Sequence, residues 1–175
     1  QLAAELKVPL VVEYNGSEVW VAENWGRGLR YKAACIAAED AMLHRADLVF
    51  TISEPLRDEL LDRGVKPDRV HWYPNCVNPE IYDAARWTDE ERMAVRATIG
   101  ADNDSFVLTF VGTFGQWHGA EVLAEAAVQL CQDTRWRDGT NVYFLFIGDG
   151  VNRALCENII SGTEAEGVVH FTGLL

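Results

Sequence analysis

The residues best suited to chemistry lie in the stretch GTFGQWHG, residues 112–119. An apolar run that predicts a strand precedes this stretch, and an amphipathic helical pattern follows it. The free N–H groups of a helix that begins directly after a strand favour an anion, and glycine lets the backbone approach a phosphate closely. This glycine loop therefore predicts a phosphate or diphosphate site, to which His118 adds a side-chain donor.

The spacing of the glycine loop is G-x-x-G-x-x-x-G, which differs from both common nucleotide fingerprints, GxGxxG and GxxxxGK[ST]. A dinucleotide site also needs an acid that closes the next strand about 20 residues on, and here Asp149 comes later. Redox-cofactor and ATPase functions are thus disfavoured. The alternative is a plain turn in which Phe114 and Trp117 pack on the core, and the loop taken alone slightly favours that alternative.

Two further polar turns follow predicted strands. The sequence GDG (148–150) begins a helix, and EYNGSE (13–18) ends the first strand with groups that can bond hydroxyls. Ligands of open α/β sheets lie at the carboxyl ends of strands, although each of these turns taken alone is an ordinary one. Ser53 is interpreted as a helix N-cap. Glu39 and Asp40 occupy adjacent helical positions that point apart, which favours a solvated role for one of them.

Short apolar strands alternate with helices along the chain. The predicted strands are VPLVVEY (8–14), LVFTIS (48–53), VHWYP (70–74), FVLTFVG (106–112), VYFLFIG (142–148) and VVHFTG (168–173). Several of them are apolar at nearly every residue, which is typical of parallel strands covered on both faces. The capping box Thr88-x-x-Glu91 marks a helix start. The alanine-rich residues 29–45 predict a helix that packs closely on a neighbour.

This alternation predicts an α/β fold that contains parts of two Rossmann-like domains, each with a parallel sheet. The regular order breaks at a turn with proline and a charged helix, which are typical of a domain junction. We interpret residues 1–80 as the C-terminal part of a first domain, 81–104 as a connector with a helix, and 105–175 as the N-terminal part of a second domain. The missing initiator Met and the strand near the end lead us to expect a fragment.

Composition and charge exclude several classes of protein. The 175 residues are 49% hydrophobic and 24% charged, which is ordinary for a globular protein, and no run of apolar residues is long enough for a transmembrane helix. The net charge is −12 and no basic run is present, which argues against a nucleic-acid partner.

The cysteines are widely spaced and form no CxxC pair, so we expect neither a disulfide framework nor a metal site. We expect instead reduced, mostly buried thiols in a cytoplasmic protein. The four positions are Cys35, Cys76, Cys131 and Cys156.

Taken in order, four stretches resemble motifs of one enzyme family. They are EDAMLHRADLVFTIS…PNCVNPEIY (39–82), FVLTFVGTFGQWHGAEVLAEA (106–126), YFLFIGDGVNRALCE (143–157) and VVHFTGLL (168–175). Together they resemble the retaining, nucleotide-sugar-dependent glycosyltransferases of group 1 (family 4), which have two Rossmann-like domains around a cleft. The stretch EYNGSEVWVAENWG (13–26) is similar to a subgroup that acts in surface-polysaccharide biosynthesis.

This resemblance implies roles for residues at the strand ends. The donor diphosphate would contact Gly112, Thr113, Gly115, His118 and Gly119. The nucleotide would lie near Gly148, Asp149, Gly150 and Leu174. The acceptor side of the cleft would present Glu13, Asn15 and Ser53. The catalytic Glu-x7-Glu segment of the family would lie beyond Leu175, so no catalytic residue is assigned within this chain.

The sequence departs from the family pattern at three positions. Thr113 stands where the family usually has Arg, and His118 stands where it usually has Lys. Two fixed positive charges are thereby lost, so phosphate binding would depend more on backbone N–H groups and on a protonated His118. Cys76 replaces a glycine in the PNGV turn, where we expect it to be tolerated.

The resemblance implies transfer of a sugar from a nucleotide diphosphate-sugar to a glycan or lipid-linked acceptor, in cell-surface polysaccharide biosynthesis. The implied location is cytoplasmic, any membrane association would arise from parts outside this chain, and no cofactor or metal is expected. Two alternatives remain open. One is a nucleotide-sugar epimerase of the same architecture, and the other is a non-catalytic homologue that binds sugar nucleotides.

Overall fold

The computed structural model describes residues 2–26, 28–133 and 141–175. The chain divides into two compact units, Gln1–Tyr82 and Asp83–Leu175. Each unit is built around its own three-stranded parallel sheet. Within the described residues, no helix combines the length and the apolar character that crossing a membrane requires.

The first unit contains the sheet β1-β2-β3. Its strands are β1 (Val11–Tyr14), β2 (Leu48–Thr51) and β3 (Val70–Trp72). Its helices are α1 (Leu2–Leu6), α2 (Glu18–Asn24), α3 (Lys32–Arg45) and α4 (Glu54–Asp62), and a 3₁₀ turn, Pro67–Arg69, precedes β3. Ser53 caps α4 as predicted, because its hydroxyl accepts a hydrogen bond from the Leu56 N–H at 3.4 Å.

One face of the first sheet is buried and the other is open. Val12 and Val49 are register partners on the buried face, where Leu43 of α3 and Leu60 of α4 pack against them. On the opposite face Phe50 keeps 39% of its surface exposed. The expectation of cover on both faces is therefore wrong for this sheet, since α3 and α4 both pack on the same side.

Helix α3 also differs from its prediction. It begins at Lys32 instead of residue 29, and Leu43 is its buried residue. The alanines that predicted close packing are exposed; they are Ala33, Ala34, Ala37, Ala38 and Ala41. Small side chains permit a close approach, but they do not by themselves supply the apolar area that holds a neighbour.

The second unit contains the sheet β4-β5-β6. Its strands are β4 (Phe106–Val111), β5 (Val142–Ile147) and β6 (Val169–Gly173). Its helices are α5 (Asp89–Ala97), α6 (Ala120–Gln132) and α7 (Arg153–Ile160), and a 3₁₀ turn, Ala84–Arg86, precedes α5. The capping box of α5 is formed as predicted, with Thr88 and Glu91 each accepting from the other's N–H group.

The core of the second unit lies between its sheet and the pair α6 and α7. Ala124 and Ala127 of α6 are fully buried, together with Phe144 and Phe146 of β5 and Cys156 of α7. All six predicted strands are present, and the predicted α/β class with parallel sheets is confirmed.

Candidate functional site

The three strands of the second unit end together at one edge. The Gly112 N–H donates to the Ile147 carbonyl at 3.0 Å, and the Gly148 N–H donates to the Gly173 carbonyl at 2.9 Å. Since β4, β5 and β6 run parallel, their carboxyl ends lie side by side. The structure thus brings the glycine loop (residues 112–119), the GDG turn and Gly173 to one sheet edge.

The glycine loop and the GDG turn fit against each other through positions that only glycine can occupy. Gly148 has φ +129°, and a Cβ there would lie 1.9 Å from the Gly112 carbonyl oxygen. Gly150 has φ +155°, and a Cβ there would lie 2.7 Å from the Phe114 nitrogen. The Phe114 N–H donates to the Asp149 carbonyl at 3.0 Å, which joins the two loops. The two turns therefore form one backbone assembly.

The two aromatic residues of the glycine loop behave differently. Phe114 is fully buried and packs against Phe110, Phe146 and Phe171. Trp117 keeps 55% of its surface exposed. Packing on the core therefore accounts for Phe114 but leaves Trp117 at the surface of the loop.

His118 folds back onto the start of its own loop. Its Nδ1 donates to the Thr113 carbonyl and lies 3.0 Å from the Thr113 hydroxyl. A carbonyl oxygen only accepts, so Nδ1 carries the hydrogen and Nε2 is the nitrogen left for a ligand. A neutral imidazole would offer Nε2 as an acceptor, whereas the protonated ring would offer an N–H donor. Binding of an anion by His118 therefore requires the charged ring.

Helix α6 begins directly after the loop without a side-chain cap. Its N-cap is Gly119, at φ 67°, and glycine has no side chain that could accept from the first turn. The N–H groups of a first helical turn, left uncapped, form an anion-binding end whose dipole favours negative charge.

Gly115 is buried within the loop, and a Cβ there would lie 3.3 Å from the Trp117 ring.

Charged side chains border the other end of this edge. The Asp149 carboxylate accepts from the Gly150 N–H at 2.7 Å, and Leu174 is 79% exposed.

Arg153 was not predicted as a site residue. A Cβ on Gly173 would lie 3.3 Å from Arg153 Nη1, and the same guanidinium bonds Glu157 at 2.9 Å. Its position in the first helical turn after GDG is the sequence signal from which Arg153 could have been predicted as a site residue.

The acceptor-side residues of the first unit do not share one cavity. Glu13 accepts a hydrogen bond from Asn15 Nδ2 at 3.1 Å, so these two side chains touch. Glu13 lines one cavity together with Asn75, whereas Asn15 lines another. Ser53 lines neither of these two, and its hydroxyl is engaged as the cap of α4.

The first unit contains a charged cluster that the sequence did not predict. Arg63 donates to Glu39 at 2.8 Å and to Asp40 at 2.5 Å, and its Nη1 donates to the Tyr14 hydroxyl at 2.9 Å. The Tyr14 hydroxyl in turn donates to Glu59 at 2.5 Å. The expectation that Glu39 or Asp40 is merely solvated is wrong, because one guanidinium reaches both. We call these five residues the Arg63 cluster.

Burial and ionic partners shift the pKa values within the Arg63 cluster. Burial and the hydrogen bond to Glu59 raise the pKa of the Tyr14 phenol above its ordinary range. Burial alone would lower the pKa of Arg63, but the bonds to Asp40 and Glu39 outweigh it and raise that pKa. Tyr14 is therefore a neutral donor and Arg63 a fixed cation at physiological pH.

The cysteines are free thiols with different environments. Cys156 is buried, and burial raises its pKa to about 11. Cys76 is exposed, and Cys35 and Cys131 are half-buried, so the expectation of mostly buried thiols is wrong. Among the residues that the structure describes, no group of His, Cys, Asp and Glu has an arrangement that could hold a metal ion.

Comparison with known proteins finds similarity to glycosyl transferases. The family model of the glycosyl transferase 4-like domain matches residues 1–76. WcaI of Escherichia coli (strain K12), named as a glycosyl transferase of colanic acid biosynthesis, is 25% identical over 134 residues. That match covers 77% of this chain and 31% of WcaI.

Solved structures share the fold at low sequence identity. Alr3699/HepE of Anabaena, in complex with UDP and glucose, superposes with a TM-score of 0.73 at 16% identity and covers 99% of this chain. WaaG, a glycosyltransferase involved in lipopolysaccharide biosynthesis, superposes with a TM-score of 0.64 at 15% identity, also over 99% of the chain. The chain spans 43% of the first structure, 50% of the second and 31% of WcaI.

The family model, the curated relative and the shared fold agree with the order of motifs in the sequence. They confirm the predicted resemblance and the two-domain Rossmann-like architecture. Residues 1–76 thus match the glycosyl transferase 4-like domain, and the chain as a whole shares its fold with the glycosyltransferase of solved structure, WaaG, and with Alr3699/HepE.

Proposed function

We propose that the protein transfers a sugar from a nucleotide diphosphate-sugar to a glycan or lipid-linked acceptor during cell-surface polysaccharide biosynthesis. In this proposal residues 1–80 belong to the acceptor side, residues 81–104 connect, and residues 105–175 bind the donor. The reaction takes place in the cytoplasm, without a cofactor or a metal. Catalytic carboxylates are supplied by parts of the protein outside this chain.

One observation carries this proposal. The backbones of the glycine loop and the GDG turn are hydrogen-bonded to each other, and the glycine loop leads directly into α6. Cleavage of a sugar–phosphate bond develops negative charge on the departing diphosphate. Preorganised N–H groups aimed at that charge stabilise the transition state, and the uncapped first turn of α6 supplies such groups. Glycine at 112, 115 and 119 keeps Cβ atoms away from the phosphates.

The comparisons support a nucleotide-sugar donor. Alr3699/HepE has been solved with UDP, with UDP-glucose, and with UDP and glucose. WcaI is named for colanic acid biosynthesis. In this chain we assign the diphosphate to Gly112, Thr113, Gly115, His118 and Gly119. The nucleotide then lies near Gly148, Asp149, Gly150 and Leu174.

A second function, binding of sugar nucleotides without catalysis, is favoured by one observation. Thr113 and His118 bond to each other at the positions where the family usually has fixed cations. Catalysis needs stronger interactions with the transition state than with the ground state, and a loop without Arg and Lys supplies less of that difference. Measurement of transfer or donor hydrolysis separates this function from the first one.

Calorimetric titration with UDP, GDP and their sugars tests the shared requirement for a donor site. We expect one of these ligands to bind, and Gly115→Val to weaken it at least about tenfold, because a Cβ there meets the Trp117 ring. His118→Ala should weaken it less. Gly167→Val is the matched control, since nothing lies within 4 Å of a Cβ at Gly167.

Two results would overturn the assignment. If none of the nucleotides binds, both functions fail. If Gly115→Val binds as tightly as the unmodified chain while circular dichroism shows both folded, the glycine loop does not approach the phosphates.

A further inference from the structure

The first unit contains a cavity of about 860 Å³ beside the turn after β1. It lies between α2, α3 and α4, and Asn15 is the one predicted site residue that lines it. Its size falls within the range of about 300–1,000 Å³ that is typical of small-molecule sites. We call it the tryptophan pocket, after Trp20 and Trp25 in its wall.

The floor of the tryptophan pocket presents carboxylates in fixed positions. Asp40 and Glu59 belong to the Arg63 cluster, yet their side chains keep 39% and 41% of their surface exposed. Asp40 meets Arg63 through Oδ1, so Oδ2 faces away from that bond. A carboxylate already held by one partner accepts a hydroxyl group with little further loss of side-chain freedom.

The wall of the pocket is an aromatic surface that is also held in place. Trp20 is 51% exposed and meets the edge of Trp25 at a ring-centroid distance of 4.6 Å. Its backbone N–H donates to the Ser17 hydroxyl at 3.2 Å, which caps α2. Ser17 in turn donates to Glu39 at 2.9 Å, so the wall and the floor are linked. A rigid aromatic face offers a large apolar contact area with little entropy loss.

The charges that line the pocket select against anions. Its lining contains four carboxylates and two cations, which are Glu23, Glu39, Asp40, Glu59, Lys32 and Arg63. Both cations are already paired, since Lys32 bonds Glu23 at 2.9 Å and Arg63 bonds the cluster. Among the lining residues that the structure describes, a phosphate or carboxylate ligand would therefore meet net negative charge and cations that already have carboxylate partners. A neutral ligand with many hydroxyl groups would match both the acceptors and the aromatic face.

We propose that the tryptophan pocket binds an uncharged sugar residue of the acceptor glycan. One apolar face of the sugar ring lies against Trp20, and its hydroxyl groups donate to Asp40 and Glu59. This assignment rests on the transferase function proposed above, and it adds the chemical class of the acceptor. A sugar with a carboxylate or a phosphate binds more weakly at this position, because the described lining carries net negative charge.

The test is a titration of the whole chain with uncharged disaccharides, namely cellobiose, maltose, lactose and diacetylchitobiose, followed by tryptophan fluorescence and saturation-transfer NMR. We expect at least one to bind saturably, and Trp20→Ala to weaken it at least about tenfold. Trp87→Ala is the matched control, because Trp87 is 57% exposed and lies outside the pocket. Circular dichroism verifies that both variants fold.

A charged analogue sharpens the test. For cellobiose and cellobiouronic acid, which differ in one carboxylate, we expect the charged sugar to bind about tenfold more weakly. Asp40→Asn removes one negative charge from the pocket, so it should reduce the difference in affinity between the two sugars. Absence of saturable binding by every disaccharide, or equal binding by Trp20→Ala, would overturn the proposal.

Parallel titration with UDP separates this proposal from the transferase function. Trp20→Ala should leave UDP affinity unchanged, since the donor loop belongs to the other unit. If UDP binds and the disaccharides do not, the pocket assignment is wrong and the transferase function stands. If the disaccharides bind and neither UDP, GDP nor their sugars bind, the pocket binds sugar, but the transferase function and the acceptor role that rests on it are wrong.

Discussion

The polar sites of the two units are formed by different kinds of chemical groups. In the second unit, backbone groups of the glycine loop and the GDG turn form the edge, and close contacts at Gly148 and Gly150 fix its shape. In the first unit, side chains form the Arg63 cluster, which joins Tyr14 to a guanidinium 49 residues away. A backbone site depends on which residues are glycine, whereas a side-chain site depends on which charges meet in the fold.

Two helices show the same contrast in packing. Helix α6 buries Ala120, Ala124 and Ala127 against the phenylalanines of its unit, whereas the alanines of α3 are exposed. Both helices carry alanines at helical spacing, so composition does not separate them. The large apolar side chains across from α6 make the difference, since Phe144 and Phe146 supply the area that an alanine face covers.

The largest expected effect comes from Gly148→Ala in the second unit. A Cβ at this position would lie 1.9 Å from the Gly112 carbonyl oxygen, at a φ that L-residues rarely adopt. We expect a loss of about 3 kcal/mol or more in the free energy of unfolding, because the loops must separate. Urea denaturation measures it. Gly167→Ala serves as the control and should change the stability little, and equal stabilities would show that the two turns are not tightly joined.

The next effect is expected from Arg63→Ala in the first unit. Removal of the guanidinium leaves Glu39, with a side chain only 11% exposed, close to Asp40 without its cation. We expect a loss of about 2 kcal/mol, below the range for fully buried pairs because the cluster is partly open to water. Arg57→Ala on α4, the helix that Arg63 follows, is the control, since Arg57 pairs with Asp58, whose side chain is 60% exposed. Denaturation measures both variants. An equal loss in the free energy of unfolding for Arg63→Ala and Arg57→Ala would contradict a structural role for the Arg63 cluster.

The features of the fold that could be predicted are those that depend on residues close together in the sequence. The capping box at Thr88 and Glu91 depends on residues three apart, and each strand depends on a short apolar run, so these features appeared in the sequence. The Arg63 cluster depends on three chain segments that only the fold brings together. Adjacent positions on an isolated helix point apart, but a long guanidinium spans Glu39 and Asp40, which a rule about helices alone does not include.

The candidate site was predictable in part for the same reason. Glycine spacing and the order of strands predicted the glycine loop and the GDG turn, which the structure places at one edge. The separation of Phe114 from Trp117, one buried and one exposed, was not readable because both are large and aromatic. Arg153 was missed because its approach to Gly173 depends on the end of β6, 20 residues further along the chain.

A smaller effect is expected for Tyr14→Phe, and it depends on pH. Burial and the hydrogen bond to Glu59 raise the pKa of Tyr14, so the folded state prefers the neutral phenol. Its contribution is fully present below the unfolded pKa of about 10 and is lost as pH rises above that value. Tyr14→Phe should cost about 1 kcal/mol at neutral pH, for the lost hydrogen bonds, and should lessen the decline above pH 10. Tyr73→Phe, at a side chain 67% exposed, is the control. Parallel declines in stability for the unmodified chain and Tyr14→Phe would contradict this origin.

The smallest effect is expected at His118, and it tests the idea that the donor edge binds through its backbone. His118→Lys places a fixed cation beside the start of α6, in a chain whose net charge is −12. An exposed charge of this kind is worth at most about 1 kcal/mol, so we expect UDP to bind up to about fivefold more tightly at low salt. The gain should shrink at 0.5 M salt, because screening removes Coulomb attraction but leaves backbone hydrogen bonds in place. His118→Gln, which adds no charge, is the control for the altered side chain. A gain of a hundredfold would mean that the loop lacks an adequate backbone site and depends on the missing cation. A gain that survives high salt would mean that Lys acts through new packing instead of charge.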